Sequence, residues 1–510
     1  MYSSKPVDFT HHLSEETRCR KPNAMKALWR VANRKPGMLS LGTGDPHFSL
    51  FPMKKVQFEV ASASEDLVDP VATWTDASSA APTQWFSASR DEAGSVPFKS
   101  AMAYGTGAGL PEAQRAVTEL TKRYHAPPDH ICTLTVGNMD GVSKLFRLLG
   151  SAGDHFLADE FSFNALTNAP LAHGISWVPV RIDKGGLVPS DLERIMSNWD
   201  ESIHGRRPHV LYTVPSGQNP AGCTLSAERR KQIYQLCQRF DILIIEDDPY
   251  YFLQFDDDGA SSSQMAPSFL SMDVEGRVLR VDSFSKVMMP GMRLGWITSS
   301  AFFHHHLVYL NESSTQHPHG FGQIFITEML SASGWGLDGF DRWTRSLRDE
   351  YQRRRDVFLE HFTSEVASTG FASADVPAAG MFVWIDVHVR QHPRYRTDLR
   401  DAAGAAPRTN VPELMDELFE RCLDAGVVVM PASIFATPAS SGAAKLLGND
   451  DPIQNVSRPS CRPCDDFADD LSRPQRLHFL RTTFAGEESQ MQPALHILGQ
   501  VLKDFFTESK

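Results

Sequence analysis

Cysteine is scarce in this chain, seven in 510 residues and widely spread. That excludes a disulfide framework and makes a reducing compartment the expectation. Nowhere do about eighteen apolar residues run together, so a membrane-spanning helix is not expected. A long basic run is missing too. Acidic residues outnumber basic ones 62 to 50, for a net charge of −12, which argues against a general nucleic-acid surface while leaving room for anionic ligands held by local fields. Residues 1–30 mix Asp8, Glu15 and Glu16 with their bases and have no apolar core, so they read as neither a secretory signal nor a typical transit peptide. A cytoplasmic protein of enzyme size is expected.

What is present is a globular composition, 41% hydrophobic and 22% charged, over a length that suggests more than one domain. Short β-branched runs alternate with segments of helical apolar spacing. Ile131–Val136, His155–Ala158, Trp177–Arg181, Val210–Val214, Ile242–Ile245, Val278–Val281 and Leu294–Ile297 read as strands. Gly141–Leu149, Asp191–Asn198 and Ala227–Arg239 read as helices between them. This alternation predicts an α/β fold, a mostly parallel seven-stranded sheet between helices, with ligands at the carboxyl ends of strands. A charged helix, Arg348–Phe362, leads into a smaller α/β pattern: strand Met381–Val387, helix Val411–Ala425, strands Val427–Met430 and Leu477–Leu480, and a terminal helix ending near Phe506. The expected division is an N-terminal arm with part of the small domain over 1–100, a large domain over 101–345, and a C-terminal small domain over 346–510. Stretches 76–100 and 437–474, rich in Ser, Ala, Pro, Gly and Asp, read as surface loops or disordered insertions. There is no internal repeat.

Residues that carry chemistry gather at the predicted strand ends. The strand Val278–Val281 runs into Asp282-Ser283-Phe284-Ser285-Lys286, and Arg293 follows seven residues after the lysine. The two hydroxyls and the guanidinium suit a phosphate dianion, and the lysine amine suits a Schiff base with an aldehyde. Pyridoxal 5′-phosphate offers both groups together. Ile244-Ile245 runs into Glu246-Asp247-Asp248-Pro249-Tyr250, where a carboxylate can salt-bridge a protonated pyridine nitrogen and Tyr250 can donate to the ring's phenolic oxygen. Asn219, in the turn Pro215–Gly222, can share that oxygen. Gly137-Asn138-Met139 lies between a strand and a helix, where backbone amides bind phosphate. Each motif alone is ordinary turn or cap vocabulary. Their consistent order, each at a strand end, points to one cofactor.

On these residues the chain resembles the fold-type I pyridoxal-phosphate aminotransferases, in particular the branch of fungal aromatic-amino-acid and kynurenine/2-aminoadipate aminotransferases. The resembling stretches are Arg20-Lys21-Pro22, Met102–Glu112, Leu211–Gly222, Phe240–Phe255, Phe269–Ile297, Pro377–Trp384 and Leu480–Phe484. The resemblance implies that Lys286 carries the cofactor and acts as general base, that Asp247 pairs with the pyridine nitrogen, and that Tyr250 and Asn219 hold the phenolic oxygen. It implies that Phe163 stacks on the ring and that Ser283, Ser285, Arg293, Asn138 and the Met139 amide bind the phosphate. Tyr104 would reach the phosphate of the neighbouring subunit in a homodimer. Arg481 would clamp the substrate α-carboxylate in bidentate fashion, with Asn219 and Gly44 also beside the substrate. The implied reaction moves an amino group from phenylalanine, tyrosine or tryptophan, or from 2-aminoadipate or kynurenine, to a 2-oxo acid such as 2-oxoglutarate. Phe163 in place of tyrosine, and Asn138-Met139 in place of Ser-Gln, lean toward the fungal aromatic branch.

Two other readings stay open. One is a lyase or cyclopropane-carboxylate-type synthase on the same scaffold. The other is a cofactor-sensing regulator, disfavoured by an N-terminal segment that is short and mixed in charge. No metal site is expected, because Cys461 and Cys464 form a lone pair in a Ser/Pro-rich loop. His11-His12 and His304–His306 read as solvated surface, and Arg353–Arg355 with Asp356 as a charged helix face.

Overall fold

Backbone packing divides the chain into two units, each discontinuous in sequence. The first comprises Met1–Ser151, Leu243–Phe252 and Pro267–Glu350; the second comprises Ala152–Ile242, Leu253–Ala266 and Tyr351–Lys510. The computed structural model describes residues 7–32, 36–37, 39, 41–42, 44–78, 80–92, 94–127, 129–255, 265–397, 409–438 and 476–507.

In the first unit, Val278–Ser283 pairs parallel with Leu243–Asp247 and antiparallel with Gly295–Ser300, which pairs antiparallel with His130–Thr135. Leu243, Ile244 and Ile245 are fully buried, as strands covered on both faces must be. The helix Asn138–Leu149 buries Val142, Leu145, Phe146, Leu148 and Leu149. Since the three parallel strands run the same way, their following segments at Val136-Gly137, Asp248-Pro249 and Phe284–Lys286 emerge on one side.

The same unit holds an antiparallel hairpin, Lys55–Ala61 with Thr83–Ser89. It replaces the expected loop over Thr83–Ser89, as the short helix Phe98–Ala101 does at the end of the 76–100 stretch. Phe86 is buried with Ala63, Met329 and Trp335, and Phe58 packs against that cluster; Val96 and Phe98 are buried as well. Small Ser and Ala side chains lower the local hydrophobicity, yet they fit a strand whose few aromatic residues find a core. Two histidine expectations also change. His12 is fully buried, beside Phe9. His304 bonds Thr133 Oγ1 through Nδ1 at 2.7 Å, and burial, aided by His305, pushes its pKa down to about 4.

In the second unit, His155–Asp159 pairs parallel with both Ser176–Val180 and Val210–Thr213. All seven predicted strands therefore form, and Gly295–Ser300 is the antiparallel exception, which makes the α/β, mostly parallel architecture. A separate antiparallel sheet runs Ala372–Ala374, Phe382–Val387, Phe479–Thr483, Met430–Pro431. The predicted strand Val427–Met430 pairs only at Met430–Pro431, since it leaves Gly426 at a φ of +90° with Val428 pointing to solvent. The strand expected at Leu477–Leu480 lies at Phe479–Thr483. The charged helix is the latter part of Gly336–Glu365, and its Arg353 pairs with Glu488 and Arg355 with Asp356. Most of the 437–474 stretch, including Cys461 and Cys464, lies outside the described residues. No described helix is long and apolar enough to cross a membrane.

Candidate active site

Gly137 caps the helix Asn138–Leu149 with φ +84° and ψ 176°, a conformation that glycine alone adopts readily. A Cβ there would stand 2.7 Å from Nη2 of Arg293. Arg293 itself has a φ of +47°, which turns its guanidinium back to donate to the carbonyls of Val136 at 3.0 Å and Pro290 at 3.2 Å. The first amides of the helix, those of Asn138 and Met139 included, have no partner within it. Together with the helix dipole and the guanidinium they make a place for a dianion. Ser283 Oγ donates to Ser285 Oγ at 2.8 Å and accepts from the Ser285 amide at 3.0 Å. Asp140, in the same helical turn, accepts from the Val136 amide at 2.9 Å and from Lys144 Nζ at 2.8 Å.

Beyond Ser283 the chain makes one helical turn, closed by the Met288 amide on the Phe284 carbonyl at 2.9 Å. Phe284 and Val287 are buried; Phe284 packs 4.9 Å from Trp296 between ring centroids, and Trp343 Nε1 donates to the Val287 carbonyl at 2.9 Å. These anchors leave Ser285 and Lys286 half-buried. Lys286 Nζ lies 5.9 Å from the ring centroid of Tyr250, which is buried. Asp247, buried at the end of its strand, accepts from Asn138 Nδ2 at 2.6 Å. The Asn138 side chain, a residue expected at a phosphate, is thus committed to Asp247. Asn138 Oδ1 is buried with no hydrogen-bond partner among the described residues. Tyr104 is 67% exposed, and around Gly44 a Cβ would meet nothing within 4 Å; neither joins this group.

The second unit assembles another part of the predicted set. Arg481 lies on Phe479–Thr483 opposite Trp384, and its Nη1 donates to Asn219 Oδ1 at 2.9 Å. Its guanidinium sits 4.7 Å from the ring centroids of both Phe382 and Phe435, two faces that attract the cation and fix its plane. Gln218, just before Asn219, donates to Asp159 Oδ2 at 3.3 Å and accepts from the Ala221 amide at 2.8 Å. Burial pushes the Asp159 carboxyl up to about 7, with hydrogen bonds from Gln218 and Thr213 opposing. Phe163 is half-buried at the start of the helix Asn164–Leu171.

Sequence reasoning missed Phe382, Phe435, Gln218, Asp159 and Arg280. Arg280 alone left a signal: a lone base in the buried run Val278–Ser283 requires buried acids beside it, and Glu246-Asp247-Asp248 supplies them.

Comparisons with known proteins agree on one family. A family model described as aminotransferase class I and II matches residues 74–443. The L-tyrosine:2-oxoglutarate aminotransferase of Serpula lacrymans var. lacrymans is 47% identical over 519 residues, covering 99% of this chain and 97% of that protein. Its namesake from Tapinella panuoides is 46% identical, covering 98% and 97%. Among solved structures, the aminotransferase Aro8 from Candida albicans matches with a TM-score of 0.82 at 30% identity, covering 99% of this chain and 100% of that one.

Proposed function

The chain belongs to the class I and II aminotransferases, and from that premise we propose that it transfers the amino group of an aromatic amino acid, L-tyrosine foremost, to 2-oxoglutarate. The names of the two fungal relatives support this choice of donor and acceptor. The observation that carries the reading is the grouping of Asn138 on Asp247 with Lys286 facing Tyr250.

The residues fit pyridoxal 5′-phosphate, on which this family depends. Gly137 leaves beside Arg293 a cradle that a single Cβ would fill, and the buried Asn138 Oδ1 is an acceptor awaiting a donor. When bound, the cofactor supplies an electron sink for the charge left as the Cα–H bond of the amino acid breaks. Around it, Arg293, Ser283, Ser285 and the amides of Asn138 and Met139 hold the phosphate. Asp247 keeps the pyridine nitrogen protonated, and its own orientation is set by Asn138. Tyr250 donates to the phenolic oxygen. Lys286 Nζ would hold the aldehyde, and as a free amine it would act as the general base that takes the proton from Cα of the amino acid. Arg481, its plane fixed by Phe382 and Phe435, takes the substrate α-carboxylate with Asn219 beside it. The exposed Tyr104 suits a role at a second subunit's phosphate, and we extend the proposal to a cytoplasmic homodimer.

Lys286→Ala should abolish formation of the 2-oxo acid from L-tyrosine and 2-oxoglutarate while the protein stays folded by circular dichroism. Retained turnover would refute the role of this lysine. Product formation by the wild type without any 2-oxo acid acceptor, beyond a single turnover, would instead favour a lyase.

A further inference from the structure

Side chains alternate across a strand. Asp247 meets Asn138 on one face, so Glu246 and Asp248 point to the other, and on the paired strand Arg280 lies opposite Glu246. Arg280 and Glu246 are each 0% exposed, Asp248 2% and Asp282 3%, which leaves these charges almost no water. Arg280 Nη1 lies 3.1 Å from Glu246 Oε1 and 3.2 Å from Asp248 Oδ2. Its Nη2 and Nε reach Asp282 at 2.8 Å and 3.0 Å. The guanidinium also covers the Tyr251 ring at 4.8 Å. Glu246 in turn accepts from the amides of Phe269 and Leu270 at 2.8 Å and 3.1 Å.

One side chain therefore grips the residues on either side of Asp247, the residue before Ser283 and the residue after Tyr250. Buried charges of this kind seldom stabilise a fold better than well-packed apolar residues of the same volume. Their placement next to each group assigned to the cofactor needs another reason. A planar fork with five donors can fix several carboxylates at once, which an ammonium cannot. Burial opposes the charge on Arg280, but Asp282, Glu246 and Asp248 more than offset it and hold its pKa well above the usual arginine value.

We propose that Arg280 is the positioning residue of the cofactor site, fixing the backbone that presents Asp247, Tyr250 and Ser283. The proposal rests on the reading of those three as cofactor ligands. Two variants test it: Arg280→Lys, which keeps the charge and loses the fork, and Glu246→Gln, which removes one gripped carboxylate and keeps its shape. Apo protein would be titrated with pyridoxal 5′-phosphate by tryptophan fluorescence, with visible circular dichroism of the bound cofactor, steady-state kinetics and the apo Tm alongside. For Arg280→Lys we expect Kd to rise about tenfold or more, a weakened visible dichroic band, and a kcat loss of similar size with the KM for L-tyrosine within about twofold. Glu246→Gln should shift the same way by a smaller factor, and it carries the test if Arg280→Lys does not fold. Wild-type Kd and dichroism in either folded variant would overturn the proposal, as would losses that only follow a lowered Tm. If the wild-type apo protein binds no pyridoxal 5′-phosphate, the underlying reading fails instead.

Discussion

Gly137→Ala separates backbone strain from loss of the phosphate cradle. With φ at +84° and ψ at 176°, any side chain at this position costs about 1–3 kcal/mol in the folded state. The added Cβ would also sit 2.7 Å from Arg293 Nη2 and 3.1 Å from its Cζ, where comfortable contact begins at about 3.5 Å. The guanidinium must then retreat by roughly 0.5–1 Å, away from the helix start and from the Val136 carbonyl that it holds at 3.0 Å. A hydrogen bond involving a charged group contributes about 1.5–3 kcal/mol, so losing one to phosphate should raise Kd by about 10- to 150-fold. Gly153→Ala is the control, because Gly153 has a φ of +90° and a Cβ there would meet nothing within 4 Å. The assay is fluorescence titration of each apo protein with pyridoxal 5′-phosphate and, separately, inorganic phosphate. Both variants should lose thermal stability, but only Gly137→Ala should lose affinity. Unchanged affinity in Gly137→Ala, or an equal loss in Gly153→Ala, would refute the reasoning.

Arg481→Lys keeps a cation between Phe382 and Phe435 but loses the fork, so KM for L-tyrosine should rise by about 10- to 100-fold with cofactor Kd within about twofold; a parallel loss of cofactor binding would contradict the division of labour. Asp159 titrates at about 7 in the folded protein against an ordinary 3.8, so the folded state binds its proton more tightly than the unfolded chain does. The stability this contributes is complete below about pH 4 and is lost as pH rises to about 7, on the order of 4 kcal/mol at most. Asp159→Asn should therefore gain in Tm relative to the wild type between pH 4.5 and 7.5, whereas a constant difference across that range would rule out the shifted carboxyl.

The central strands were legible because each is a short β-branched run ending in polar residues, and the same endings exposed Lys286, Asp247, Tyr250 and Arg293 as a set. The hairpin at Thr83–Ser89 was hidden because its Ser and Ala residues resemble loop composition, and Phe86 shows its purpose only against Met329 and Trp335, far away in the chain. The destination of the Asn138 side chain was equally out of reach. Helix starts bind phosphate through the backbone, and only the register that sets Val281 opposite Asp247 brings that carboxylate under the asparagine. Likewise, the aromatic faces around Arg481 come from Phe382 and Phe435, whose nearness depends on antiparallel pairing that no local pattern encodes.

The interrupted make-up of the first unit bears on how the protein is made. Its strand His130–Thr135 pairs with Gly295–Ser300, so on the ribosome it must wait while the intervening polypeptide is synthesised, about 10–30 s at typical elongation rates. Through that interval an apolar edge stands open on the nascent chain. Chaperone demand should therefore peak before translation reaches the end of this unit, and no single cut in the gene can release either half as an independently folding fragment.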